Sequence, residues 1–564
     1  LVLIVPILLL LSSTADSAGD ADLVPELPGV LFQHDFRSYA GYVSANKEKT
    51  WRMFYWLTES RSETRDSDPL LVWFSGGPGC SSISGILEEL GAFYVTKDGG
   101  HLFENVFSWN QRANVLALES PIGTGFSYDA SDADFGNFSD DLSAAQNYAA
   151  LADFFRNVQP RYANRTFFIS GESYAGIYIP MLANLLFEGI KTGDFPNKKF
   201  QGFAIGNGFM DVKSLLNSQV LWSYYHGRLS TQEWDYVKKN CSTNGETDIE
   251  KYDFTKYLTS DNNVDFDSDN STCGDILYRM YSVYGVTHAY SYYQDCYVGT
   301  SGTLSATAGG RRAMRRVSRR GHSRPRREAA AEDENPADSF WRDSTDTLAG
   351  FPCWADDATT SFLNKREVLV ALHVSKEWMA RGNKWKICTA LVHTNYTGQH
   401  LTTRTFFDKV IANSKKIPNF RMLIYNGDVD TVCNYLGDAW FMRAVAEGNH
   451  LKDTGRKEWH FRDQIAGYVQ HYQGDGVSLD VLTVKGAGHF VPMDRAGPSA
   501  QMITNFIADV DISKDAVNYS DGSRLNVLAT PLPLRRSVET TTSSFAQKTS
   551  SALLILTVLC ALWI

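Results

Sequence analysis

The chain has 564 residues, 43% hydrophobic and 21% charged, the balance of a globular protein with room for one large domain carrying insertions. Its formal net charge of -10 gives no overall electrostatic basis for binding nucleic acid. The cysteines show no C-x-x-C pair and no metal-ligand spacing with histidine, which argues for an oxidised framework and against a zinc site.

Residues 1–11 form an almost unbroken apolar run, followed by the small residues Ala15, Ser17 and Ala18. That pattern predicts a secretory signal over residues 1–18, since the run is too short to span about 30 Å of hydrocarbon. N-x-S/T sequons at Asn137, Asn164, Asn240, Asn270, Asn395 and Asn518 are expected glycosylation sites on an exported chain.

Residues 70–75 read Leu-Leu-Val-Trp-Phe-Ser, a buried-strand run broken by Gly76, Gly77, Pro78 and Gly79. Similar runs follow at 114–118, 166–169, 202–205, 421–425 and 479–484. The third ends at Gly171 and leads into a helical pattern reaching about Leu186, and residues 142–158 form an amphipathic stretch. Strands alternating with helices predict an α/β fold, a mostly parallel sheet covered on both faces. One half of this core is expected over 19–211 and the other over 356–512.

Between them the alternation fails. Residues 212–355 are polar and Tyr-rich and hold Cys241, Cys273, Cys296 and Cys353, which reads as a cap inserted over one end of the sheet. Within the cap lies a basic loop, about 300–336, with nine arginines between Gly309 and Glu328. Such a run buries nothing, so a protease-sensitive loop is expected there, cut in the mature protein; a heparin or nucleic-acid patch is the lesser reading. The tail, 513–564, becomes Ser/Thr-rich and ends in thirteen apolar residues, 552–564. As a helix these reach only about 20 Å. Two readings stay open, a lipid-anchor attachment signal and a short membrane tail. Homodimerisation is left open as well.

The chemistry is concentrated in three strand-end loops. Gly171-Glu172-Ser173-Tyr174-Ala175-Gly176 falls where a strand meets a helix, the nucleophile elbow of α/β-hydrolases, with Ala175 in place of the second glycine. A serine nucleophile needs a base and the base an orienting carboxylate. His489 follows a strand in Lys485-Gly486-Ala487-Gly488-His489, and Asp430 follows another in Asn426-Gly427-Asp428-Val429-Asp430. Asp428 is a competing acid that spacing does not exclude. The glycines at 76–79 offer backbone N–H groups for an oxyanion.

These motifs, with Trp73 to Ser82 (W-F-S-G-G-P-G-C-S-S) and Gly206-Asn207-Gly208, resemble the serine carboxypeptidases, the family of cathepsin A and carboxypeptidase Y. The resemblance covers roughly residues 31–508. It implies a Ser173–Asp430–His489 triad, an oxyanion hole at the Gly77 and Tyr174 N–H groups, and no cofactor. It implies that Glu89 and Glu172 share a proton and, with Ser75 and Gly76, hold the carboxylate of a peptide or protein C-terminus. It implies disulfides Cys80–Cys388, Cys296–Cys353 and Cys241–Cys273, a free Cys433, and work at acid pH in the lysosome or outside the cell. The family usually has Asn where this chain has Ser75. Two further readings stand beside this one: an acyltransferase or esterase on the same scaffold, and a protective partner of lysosomal hydrolases.

Overall fold

A computed structural model describes residues 19–131, 136–242, 248–258, 266, 271–282, 289–294, 355–474 and 476–515. The signal segment, the basic loop, the tail from 516 onward, Asn270, Asn518, Cys296 and Cys353 lie outside the described residues.

Eleven strands run along one twelve-stranded sheet: β1 (Leu23–Val24), β2 (Ser38–Ser44), β3 (Trp51–Thr58), β4 (Leu70–Phe74), β5 (Asn114–Leu118), β6 (Phe167–Ser173), β7 (Phe200–Gly208), β8 (Phe420–Gly427), β9 (Lys452–Phe461), β10 (Gln464–Gly474) and β11 (Val477–Val484). The twelfth, Tyr128–Asp129, pairs with β3 off this path. The spatial order is β1-β2-β3-β5-β4-β6-β7-β8-β11-β10-β9. The strands from β5 to β11 in this order are parallel, and the strands on both flanks are antiparallel.

Alternation along each central strand feeds two cores. Trp73, Phe168, Ala204 and Leu423 face one, while Val72, Ile169, Ile205 and Ile424 face the other. Helices cover both faces, including α1 (Asp140–Asp153), α2 (Ala175–Thr192) and α7 (Ala496–Ala508). Ser139 caps α1 by accepting from the Leu142 N–H, and Gly193 ends α2 at φ 81, six residues beyond the sequence expectation. Pro180 lies inside α2 and did not stop it.

The insertion has its own small core. Val220, Trp234, Val237 and Leu277 pack together from α3 (Val212–Tyr225), α4 (Thr231–Asn240) and α5 (Thr272–Ser282) around the Cys241–Cys273 disulfide. Leu436 and Trp440 of α6 (Tyr435–Gly448) pack against this cluster and so seat the cap on the sheet. Cys80–Cys388 joins the loop after β4 to a segment 308 residues further on. If the basic loop is cut, this bridge links the two pieces covalently, as would the Cys296–Cys353 pair that the resemblance implies. Native material should then run as one band without reductant and two with it; a single band under both conditions would mean the loop is intact.

Asn137, Asn164, Asn240 and Asn395 are exposed. No helix among the described residues is long and apolar enough to cross a membrane.

Candidate active site

The site forms where the parallel strands end. At the close of β6 the pairing with β7 slips by one residue, so that Glu172 faces Gly206 and Ser173 faces Gly208. Ser173 has φ 59, a conformation that a residue with a side chain holds only when its surroundings enforce it. The neighbours do so. The Ser173 carbonyl accepts from the Phe209 N–H at 2.8 Å, and α2 starts two residues later. A Cβ on Gly171 would lie 2.4 Å from the Phe74 oxygen and 2.6 Å from the Ala175 Cβ, so glycine is required here, while Ala175 fits without a further gap.

The glycine loop after β4 approaches this turn closely. A Cβ on Gly76 would sit 2.5 Å from the Tyr174 nitrogen and 2.8 Å from the Ser173 Cβ. Any side chain there would fill the space in front of the Tyr174 N–H. Gly77 has φ 109 and precedes a cis Pro78, and the loop is pinned further on by Cys80–Cys388, by Ser81 N–H to the Ile387 carbonyl (2.7 Å) and by Thr389 N–H to the Gly79 carbonyl (2.9 Å). The Tyr174 hydroxyl donates to buried Asp140 at 2.9 Å, which fixes the ring beside the turn.

His489 and Asp430 are buried, and the His489 Nδ1–H donates to Asp430 Oδ2 at 2.7 Å. With Nδ1 so engaged, Nε2 is the nitrogen left to accept a proton. Asp430 also accepts from Asn207 Nδ2 (2.9 Å), Val432 N–H (2.8 Å) and Cys433 N–H (3.0 Å). Asp428 plays a different part: it accepts from the Gly486 N–H at 2.7 Å, and burial raises its carboxyl to about 6. Of the two acids the sequence offered, only Asp430 pairs with the histidine. Tyr290, from the cap, accepts from the His489 N–H at 2.6 Å through its carbonyl and lays its ring 4.9 Å from the imidazole.

Glu89 ends a wide helical turn, Gly85–Glu89, and its side chain meets that of Glu172, both residues 3% exposed. Burial first, and then each other's charge or that of nearby acids, raises both: Glu172 to about 8, Glu89 well above its ordinary range. Glu88 is raised as well, by burial and then by Asp356. Ser75 is also buried. Its hydroxyl accepts from Trp73 Nε1–H at 3.2 Å, and its N–H donates to the Ser82 hydroxyl at 3.0 Å. Cys433 is a free, buried thiol whose pKa burial raises. No group of His, Cys, Asp and Glu among the described residues could hold a metal ion.

Sequence reasoning missed three contributors: Asn207, which bridges Asp430 and Gly427; Tyr290; and Asp494, which accepts from the Gly488 N–H at 2.6 Å. The Gly206-Asn207-Gly208 motif was a usable signal for Asn207. Nothing local marked the other two.

A serine on a strand–helix elbow, at the C-terminal ends of a parallel sheet, defines an α/β-hydrolase. Within that class the sequence matches the serine carboxypeptidase family over residues 28–509, so the chain belongs to that family and is a serine-type exopeptidase. It is 48% identical to the serine carboxypeptidase ctsa-3.1 of Caenorhabditis elegans over 91% of this chain and 92% of that one. It is 32% identical to the lysosomal protective protein of Mus musculus, over 89% and 98% respectively. Among solved structures, Kex1(delta)p, a prohormone-processing carboxypeptidase from Saccharomyces cerevisiae, shares the fold with a TM-score of 0.62 at 20% identity, covering 87% of this chain and 96% of that one. The esterase, acyltransferase and protective-partner readings are not favoured by these relatives.

Proposed function

We propose that this carboxypeptidase releases residues from the free C-termini of peptides and proteins in acid solution through an acyl-enzyme on Ser173. The Ser173 hydroxyl attacks the last peptide carbonyl while His489 Nε2 takes its proton, and Asp430 holds the imidazole and stabilises its charge. The Gly77 and Tyr174 N–H groups receive the oxyanion. His489 then returns the proton to the leaving amine, and water repeats the sequence on the ester. Glu89, Glu172, Ser75 and Gly76 hold the terminal carboxylate.

The observation that carries this reading is the buried Glu89–Glu172 pair. A shared proton lets two acids donate to a third carboxylate, an arrangement of little use to a substrate without one. Incubating the purified protein with N-blocked dipeptides at pH 5 tests it. The C-terminal amino acid should be released from free acids faster than from their C-terminal amides; cleavage inside longer peptides instead would refute it.

Secretory-pathway residence, lysosomal or secreted, is supported by the disulfides, the apolar run at 1–11 and the likeness to a lysosomal protein. The exposure of four sequon asparagines is compatible with glycans there.

Ser75 supplies a further test. An Asn at this position could accept the Trp73 indole N–H through its oxygen and still donate its amide to the substrate. One more such bond stabilises by about 0.5–1.5 kcal/mol, roughly 2- to 12-fold in kcat/KM. Ser75→Asn should improve free-acid peptides by that factor and leave blocked esters unchanged. Equal gains on both would place Ser75 in loop geometry or the oxyanion hole.

A further inference from the structure

The first turn of α6 carries a carboxyl, Asp438, that the mechanism above does not use, and it is only 3% exposed. Its Oδ2 accepts from the Gly208 N–H at 3.1 Å and from Asn426 Nδ2 at 2.7 Å. Gly208 ends β7, and Asn426 lies one residue before the end of β8, its parallel neighbour in the sheet. A single oxygen therefore ties two adjacent strand ends together.

Between those ends sits the side chain that fixes the acid of the triad. Asn207 donates to Asp430 Oδ2 at 2.9 Å and accepts from the Gly427 N–H at 2.9 Å. Its φ is 39, in the left-handed region that asparagine enters more readily than other side chains, and the hydrogen bonds of its side chain fix it there. Gly208 follows Asn207 directly, and Asn426 precedes Gly427. Asp438 binds both. Asp430 in turn sets the orientation of His489.

We propose that Asp438 is a positioning residue for the Asp430–His489 pair, acting by clamping Gly208 and Asn426 so that Asn207 is held against Asp430. A plainer role would be to anchor the start of α6 through the favourable placing of a negative charge at a helix N-terminus. The chemistry speaks against that. Burial, assisted by the charge of Asp430 and opposed by the Asn426 and Gly208 hydrogen bonds and by His489, raises this carboxyl to about 8. In acid solution it is a neutral acid, and what it offers is an acceptor oxygen in a set place. Asparagine offers the same oxygen, whereas alanine offers none.

The inference rests on the triad reading, and the test separates the two. The rate at which a serine-directed phosphonylating reagent labels Ser173 reads activation of the nucleophile without any need for the carboxylate pocket. In full-length protein, Asp438→Ala should slow labelling and lower kcat by about tenfold or more, because a misplaced base loses rate steeply with distance. KM for a free-acid dipeptide should stay within about twofold. Asp438→Asn should restore labelling to within about threefold of the parent. Labelling of Asp438→Ala at the parent rate would overturn the proposal, and so would an Asp438→Asn variant as slow as the alanine one. If Asp438→Ala does not fold, Asn426→Ala carries the test, with slowed labelling at unchanged KM expected and the parent rate overturning it. Absence of labelling at Ser173 in the unmodified protein would strike the triad itself; normal labelling there, with no effect of Asp438, strikes this inference alone.

Discussion

Ser173→Ala should lower kcat/KM by at least about 10⁴-fold while leaving the protein folded, since removal of a nucleophilic serine forfeits the covalent route and leaves only the oxyanion hole and substrate binding. The side chain is half-buried, and the strained φ of 59 is imposed by the Phe209 contact and by β7, which the substitution leaves in place. Thermal unfolding should therefore shift little. The phosphonylating reagent should label the parent enzyme at this residue and the variant nowhere. Labelling elsewhere, or a variant with full activity, would sink the assignment of the nucleophile.

The second large effect is on pH dependence. Glu172 is raised to about 8 and Glu89 is raised with it, so the pair keeps a proton in acid and releases it as pH climbs towards 8. The sign follows directly. Below that range the pair donates to the substrate carboxylate; within it the pair gains negative charge, loses its donor and repels the same carboxylate. KM for free-acid peptides should thus about double between pH 5 and about 8, where half of the pair has ionised, and rise by up to about tenfold for each pH unit above that, about 1.4 kcal/mol of lost binding for each tenfold. Esters and amides without a free carboxylate should show no such rise. Glu172→Gln should flatten the dependence, because an amide neither ionises nor repels. Equal pH dependence of KM for both substrate types would remove Glu89 and Glu172 from carboxylate binding.

Both predictions begin from residues visible in the sequence, and the reason is local. The elbow is legible because a Gly-flanked serine between an apolar strand and a helix depends on contacts within a few residues. The central strands are legible because burial on both faces makes them short, continuous apolar runs. The flanking strands lack that mark. β9 is exposed along its first seven residues and reads as a polar segment, yet its register with β10 makes it a strand. β2 and β3 are buried but aromatic and mixed, without the strict alternation that distinguishes a strand from other apolar sequence.

What the tertiary structure alone decided concerns partners far apart in the chain. Asp428 and Asp430 stand two residues apart in one loop, and no spacing rule separates them. The fold does, by turning Asp428 to the Gly486 N–H and Asp430 to His489 and Asn207. The raised carboxyls of Glu89 and Glu172 likewise arise from burial first and then from acids far along the chain, Glu172 for Glu89 and Asp430 and Asp494 for Glu172, a property of neither residue's own neighbourhood. Sequence by itself determined the nucleophile turn, the strand–helix order and the family, because each is written in short-range pattern. The pairing of Asp430 with His489, the burial of Glu89 and Glu172 together and the hydrogen bonds around Asn207 needed the sheet to close, since hydrogen bonds and desolvation act only between groups that folding has brought together.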